Sequence, residues 1–210
     1  MTLPLHEQWL VRHPLFSHLR DGQTPKKVWA IFAETFAPLI YSVPTFLGVT
    51  LARADAHARE LLDEVWAEEV GVNGAASHPG LFENLHRVAT SRWGCFHQLQ
   101  AFGIEAGHKM TALCGSGPWP VGVSAMLAHE GQFPAAYSSI LDQAYHDLGE
   151  TAYFFKLHST ADVEHSSRAS ALLSYALENR IVDQPTVDFS YQQAANILGT
   201  LADQAMEAWT

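Results

Sequence analysis

The chain has 210 residues, 48% of them hydrophobic and 16% charged, so one domain over residues 1–210 can bury a core without disulfides or structural metals. Its 12 Lys plus Arg against 22 Asp plus Glu give a formal net charge of -10, which excludes nucleic acid and anionic membrane as expected partners, because both need clustered cations. No uncharged apolar run of 18 residues is read as a bilayer span, so no membrane partner is expected either.

At the N-terminus, in "MTLPLHEQWLVRHPLF", Glu7, Arg12 and His13 interrupt the apolar residues, so no secretory signal is read and the cytoplasm is the expected compartment. From there the apolar spacing is helical nearly throughout, and the expected fold is all-α: a compact bundle of about seven helices. Helices are predicted at about 5–19, 25–53 with a kink at Pro44, 54–70, 79–102, 105–113, 120–132, 134–157, 159–179 and 186–208. The breaks fall at "DGQTP", "GVNGAASHPG", "CGSGPWPVG" and "DQPTVD", where Gly, Pro, Asn and Asp concentrate. Ser159 or Thr160 is expected to cap a helix restart, Asp188 or Ser190 the last helix, and Pro134 to bend its helix. Cys95 and Cys114 have no CxxC spacing and are expected to be reduced and buried.

The 12 histidines equal the Lys plus Arg count, a high share for the commonest transition-metal side-chain ligand. Three chemistry-bearing residues fall in "HSTADVEH". At about 100° per residue, Asp162 and His165 stand about 40° and about -20° from His158, on the stripe that also carries Phe154, Ala169 and Leu172. Lys156, Glu164 and Arg168 fall elsewhere on the wheel and are assigned to solvent. An Asp buried beside two histidines costs several kcal/mol unless offset, and a bound cation is one of the few groups that can offset it.

A metal site predicts further ligands on other apolar stripes. In "ARELLDEVWAEEVG", Glu69 shares the face of Leu62 and Val65, whereas Glu60, Glu64 and Glu68 face solvent; Glu68 is the alternative to Glu69. His78 follows a Gly-Asn-Gly loop at the start of the next helix. Glu130 lies among Val123, Met126, Phe133 and Tyr137 with no Lys or Arg close in sequence, and His129 is about 100° off that stripe, a flanking residue. The candidate ligands are thus Glu69, His78, Glu130, His158, Asp162 and His165. Oxygen plus imidazole without thiolate suits iron or manganese better than structural zinc. Six ligands are too many for one ion that keeps open positions, so two ions sharing a carboxylate are the economical arrangement.

These residues resemble the haem-oxygenase-like diiron oxygenases, relatives of the TenA thiaminases, over about residues 25–180. The resemblance rests on Glu69 with Gly71, His78, Pro79, Leu81 and Phe82, then Glu130, then His158, Asp162 and His165. It implies a seven-helix bundle, two iron ions, and O2 as co-substrate reacting through a peroxo-diferric intermediate. It further implies oxidation of a small carboxylate or amino acid by decarboxylation, C–C cleavage or N-oxygenation, with an external electron donor. A homodimer is common among similar proteins. Glu34 lies too far upstream to supply the additional carboxylate of the N-oxygenating branch.

Tyr41, Trp66, Met126, Phe133 and Tyr137 are the expected substrate-pocket residues, and Arg92 the candidate to grip a carboxylate. Two other readings stand beside the diiron one. The same fold supports a metal-free, thiaminase-like hydrolase, for which Cys114 is the available thiol. A non-catalytic helical protein that binds metal or a partner is the third.

Overall fold

A computed structural model describes residues 9–24, 26–72 and 75–209. Among them lie nine α-helices and no strand: α1 (Pro14–Arg20), α2 (Lys27–Leu51), α3 (Ala56–Val70), α4 (His78–Trp93), α5 (Gln100–Cys114), α6 (Trp119–Glu130), α7 (Phe133–Leu148), α8 (Tyr153–Glu178) and α9 (Gln184–Glu207). Gly131 and Gln132, both right-handed, carry α6 into α7, and Pro134 sits in the first turn of α7, where its missing N–H costs nothing. The all-α bundle matches expectation.

Helix α2 is the axis of the bundle. It packs on α3, α4, α5 and α6; α8 lies against α6 and α7, and α9 covers α5 and α6. The Phe32–Phe36 stack at 4.7 Å and the edge-on Phe32–Phe82 pair at 6.1 Å anchor its inner face. Helical assignment continues through Pro38 and Pro44. Residues 35–52 carry no Asp, Glu, Lys or Arg, which corrects the expectation that no such run exists. Among the described residues α2 alone is long and apolar enough to cross a membrane, but 72% of its apolar window is buried inside the protein. Its apolarity answers to neighbouring helices on several sides.

Several boundaries differ from prediction. The expected helix 79–102 stops at Trp93, because Gly94 takes φ 95° and ψ 164° and turns the chain out of the helix. A 3-10 turn, His97–Leu99, then leads into α5. Likewise Gly149, at φ 65°, ends α7 at Leu148, nine residues before the predicted end at 157. Helix α8 therefore starts at Tyr153 and "HSTADVEH" lies within it, with Ser159 Oγ donating back to Lys156 O rather than capping a restart. The cap of α9 is Asp183, whose side chain accepts from Thr186 N at 3.0 Å, not Asp188 or Ser190. The predicted helix 5–19 reduces to a 3-10 turn at Leu10–Arg12 and α1, which His13 caps before Pro14; residues 5–8 lie outside the described residues. Cys114 is buried as expected, whereas Cys95 is exposed.

Candidate metal centre

Four helices bring the six predicted ligands together. Glu69 sits in the last turn of α3, which Gly71 ends in the left-handed conformation (φ 73°). That turn sends the chain back so that Ser77 caps α4, accepting from Gly80 N at 3.1 Å, with His78 as the first helical residue. Glu130 ends α6, and His158, Asp162 and His165 line the inner face of α8. All six are buried, none more than 7% exposed.

Their donor atoms form two overlapping groups. Glu69, His78 and His158 bring ligand atoms within 4.8 Å of one another, and so do Glu69, Glu130 and His165. Glu69 belongs to both, which is the arrangement of two neighbouring ion positions sharing one carboxylate. Asp162 joins neither group, although it lines the same cavity. Its carboxylate therefore stands beside the two groups rather than inside either.

The ring nitrogens are assigned by their outer partners. His158 Nδ1 lies 2.9 Å from the Phe154 carbonyl, which can only accept, so Nδ1 carries the proton and Nε2 keeps its lone pair. His165 Nε2 lies 2.8 Å from Glu68 Oε2, leaving Nδ1 to face Glu130 Oε2 at 3.5 Å. Arg168 in turn approaches Glu68 and Glu64 and pairs with Glu164, so Glu68 is held on the outer side of His165. This separates the adjacent acids: Glu69 lines the cavity, and Glu68 contacts His165 from outside. His78 Nδ1 is 2.6 Å from Glu69 Oε1.

The electrostatics would suit a bound cation. Both Glu130 oxygens and His165 Nδ1 are buried without a hydrogen-bond partner. Burial, with Glu69 and Glu68 nearby and against the pull of His165 and His78, pushes the Glu130 carboxyl up to about 7. Burial, then Glu130 and Glu69, carries Asp162 well above the ordinary carboxylate range. Burial and the neighbouring imidazoles, chiefly His78, press His158 down to about 3. Burial opposes a charged His165, but Glu130, Glu68 and Glu69 outweigh it and raise its pKa. Orphaned carboxylate oxygens beside imidazoles with free lone pairs fit a metal, and an oxygen and nitrogen set without thiolate fits iron.

A cavity of about 20 Å³ adjoins the groups, walled by Ile40, Val43, Phe133, Tyr137, Phe154 and His129 together with ligand residues. Phe133 and Tyr137, two of the expected pocket residues, are in that lining. Tyr41 is not: it is 39% exposed and its hydroxyl meets His86 Nδ1 at 3.4 Å, because on α2 the inward positions are Ile40 and Val43, with Tyr41 about 100° from Ile40. Trp66 is also off the cavity, its Nε1 donating to Pro44 O at 3.3 Å, and Met126 is buried one turn before Glu130, away from the lining. Arg92 is exposed and donates to the Asp147 carbonyl, so it grips nothing here. His129, read from sequence as a flank, lines the cavity with both ring nitrogens unpartnered, and burial holds it down to about 4. Every residue of α6 is buried, so the position of His129 on a wheel does not decide whether its side chain meets the cavity.

Comparison with known proteins is consistent with this geometry. A family profile described as "Iron-containing redox enzyme" matches residues 30–199. No curated protein matches the chain significantly. Among solved structures, a TenA homolog from Pseudomonas syringae pv. tomato str. DC3000 superposes with TM-score 0.75 at 15% identity, covering 95% of this chain and 88% of that one, a likeness of fold.

Proposed function

The chain belongs to the family of iron-containing redox enzymes, and on that premise we propose that it is a non-haem diiron oxygenase that uses O2 to oxidise a small carboxylate or amino-acid-type substrate. The observation that carries the reading is Glu69, shared between two sets of buried ligands. Glu69, His78 and His158 would hold one iron; Glu69, Glu130 and His165 would hold the other, with Asp162 at hand as a further carboxylate. Bound iron would supply the electrons and the O2 chemistry.

The protein's own part is positioning and exclusion of water. The Phe154 carbonyl and the Glu68 carboxylate fix the two α8 imidazoles in the tautomers that leave a lone pair inward. Ile40, Val43, Phe133 and Phe154 make the cavity wall apolar. Burial, then Asp162 and Glu69, raises Tyr137 well above the ordinary phenol range, so its hydroxyl keeps its proton and serves as a donor. His129, neutral and unpartnered, is the polar handle for a substrate. A cavity of about 20 Å³ holds little more than a water molecule, so a substrate enters only as wall side chains shift.

A metal-free hydrolase reading needs an activated thiol. Burial pushes Cys114 up to about 11, despite a hydrogen bond from Thr50, and its Sγ points to Gly122 O at 4.0 Å. Gly122 is eight residues, about 12 Å along α6, from Glu130. The thiol is thus neither activated nor at the acid cluster. Anaerobic Fe(II) loading followed by O2 uptake with panels of fatty acids and amino acids tests the diiron proposal. Uptake that one substrate class accelerates and His158→Ala abolishes is expected; no iron binding, or uptake indifferent to His158→Ala, would sink it.

A further inference from the structure

A second set of metal-binding side chains meets on the other side of α4, where the chain leaves Gly94 for α5. Glu34, fully buried on α2, presents its carboxylate to this loop. Ligand atoms of Glu34, Cys95 and His97 lie within 4.8 Å of one another. His86, two turns along α4 from His78, stands beside this group rather than in it: its Nε2 lies 3.3 Å from Glu34 Oε2, while His97 Nδ1 lies 3.5 Å from the other oxygen, Oε1.

These separations are longer than the ~2.7–2.9 Å of charge-assisted hydrogen bonds. Around one ion, with bonds of about 2.0–2.1 Å to nitrogen and oxygen, adjacent ligand atoms stand about 3.3 Å apart, and the His97–Glu34 separation is close to that edge. His86 Nε2 is buried and has no hydrogen-bond partner although it faces the carboxylate. We propose that Glu34, Cys95 and His97 form a mononuclear site for a zinc-type divalent ion, with His86 beside the Glu34 carboxylate, separate from the proposed iron centre.

The outer contacts are those of a ligand shell. Phe96 N donates to Glu34 Oε1 at 3.1 Å and Gln100 Nε2 to Oε2 at 2.6 Å, leaving each oxygen a further lone pair. The Tyr41 hydroxyl meets His86 Nδ1 at 3.4 Å, which turns Nε2 toward Glu34. Cys95 and His97 are exposed and give the ion its path of entry. The thiolate makes this set softer than the oxygen and imidazole centre and sorts the two sites toward different metals. An ion there would staple the α4–α5 loop to α2.

Without an ion, Glu34 would only clamp the loop through Phe96 N and Gln100, and spectroscopy separates the two cases. Cobalt(II) is titrated into the full chain, because thiolate ligation gives a near-ultraviolet sulfur-to-cobalt charge-transfer band that the thiolate-free iron centre cannot produce. With the buried positions also open to cobalt, the site predicts a band whose final intensity is that of one thiolate-bound cobalt per chain, and which is lost in Cys95→Ser and survives in Cys114→Ser and His158→Ala. Zinc affinity, read by competition with a chromophoric chelator, should fall at least tenfold in both Cys95→Ser and His97→Ala. Absence of the band in the unaltered chain, its persistence in Cys95→Ser, or unchanged zinc affinity in His97→Ala overturns the proposal. These two positions are on the surface, so the variants are expected to fold.

Discussion

Glu68 Oε2 stands 2.8 Å from His165 Nε2, on the far side of the ring from the buried carboxylates. Its neighbour Glu69 instead shares ligand space with His78, His158, Glu130 and His165. Adjacent residues of one helix turn thus differ: Glu69 belongs to both candidate ligand groups, and Glu68 contacts His165 from outside. Glu68→Gln is expected to weaken iron binding about 10–100-fold at the position His165 serves, with the fold intact. Glu69→Gln should abolish stable loading at both. Iron content after desalting, with circular dichroism as the folding control, distinguishes them.

Glu130 makes the metal-free protein sensitive to pH. Its folded pKa of about 7 lies above the ordinary 4.5, so folding takes up a proton between those values. The stabilisation is fully present below about 4.5 and is lost as pH rises through about 7. Buried His158 and His129, pressed down to about 3 and about 4, act oppositely and lose stability as pH falls below 6.5. Comparing wild type with Glu130→Gln cancels the histidine contribution. The melting temperature of metal-free wild type should fall relative to Glu130→Gln as pH goes from 4.5 to 7, and equal trends would contradict the assignment.

The turn that delivers His78 depends on a residue without Cβ. At Gly71, φ is 73° and an added Cβ would lie 2.5 Å from Ser77 N and 2.6 Å from Ala75 O. Gly71→Ala should cost about 1–3 kcal/mol and lower iron affinity as well, because the strain is relieved by moving the segment that ends at His78. Chemical denaturation of the metal-free variant gives the first value, and iron titration the second.

Much of the candidate centre was legible because an acid or imidazole on an apolar stripe announces burial. Glu69, Glu130, His158 and His165 were found that way, and the structure joins them. Asp162 shares the stripe and lines the cavity but stands outside the ligand groups, because a wheel gives direction and not distance to residues of other helices. Tyr41, Trp66 and Met126 were misplaced for a related reason: apolar character says that a residue is inside, not which neighbour it meets. The breaks at Gly94 and Gly149 were missed because apolar periodicity runs on past them, and only their positive φ ends the helices. Tertiary approach alone brings Glu34 to His86, 52 positions apart in sequence, so that cluster had no local signature.

The two thiols should differ sharply. Cys95 is exposed, whereas Cys114 is buried with its pKa pushed up to about 11. An aromatic disulfide reagent should modify one thiol quickly and the second only on unfolding, and Cys114→Ser should retain full O2 uptake. Loss of that activity in a folded Cys114→Ser protein would favour the hydrolase-type reading.

The shared position of Glu69 is the central claim, and iron stoichiometry with Mössbauer spectroscopy tests it most directly. Protein loaded anaerobically with ⁵⁷Fe(II) and exposed to O2 should hold about two irons per chain whose ferric spins couple to a diamagnetic ground state. A single iron per chain, or two uncoupled paramagnetic irons, would contradict it.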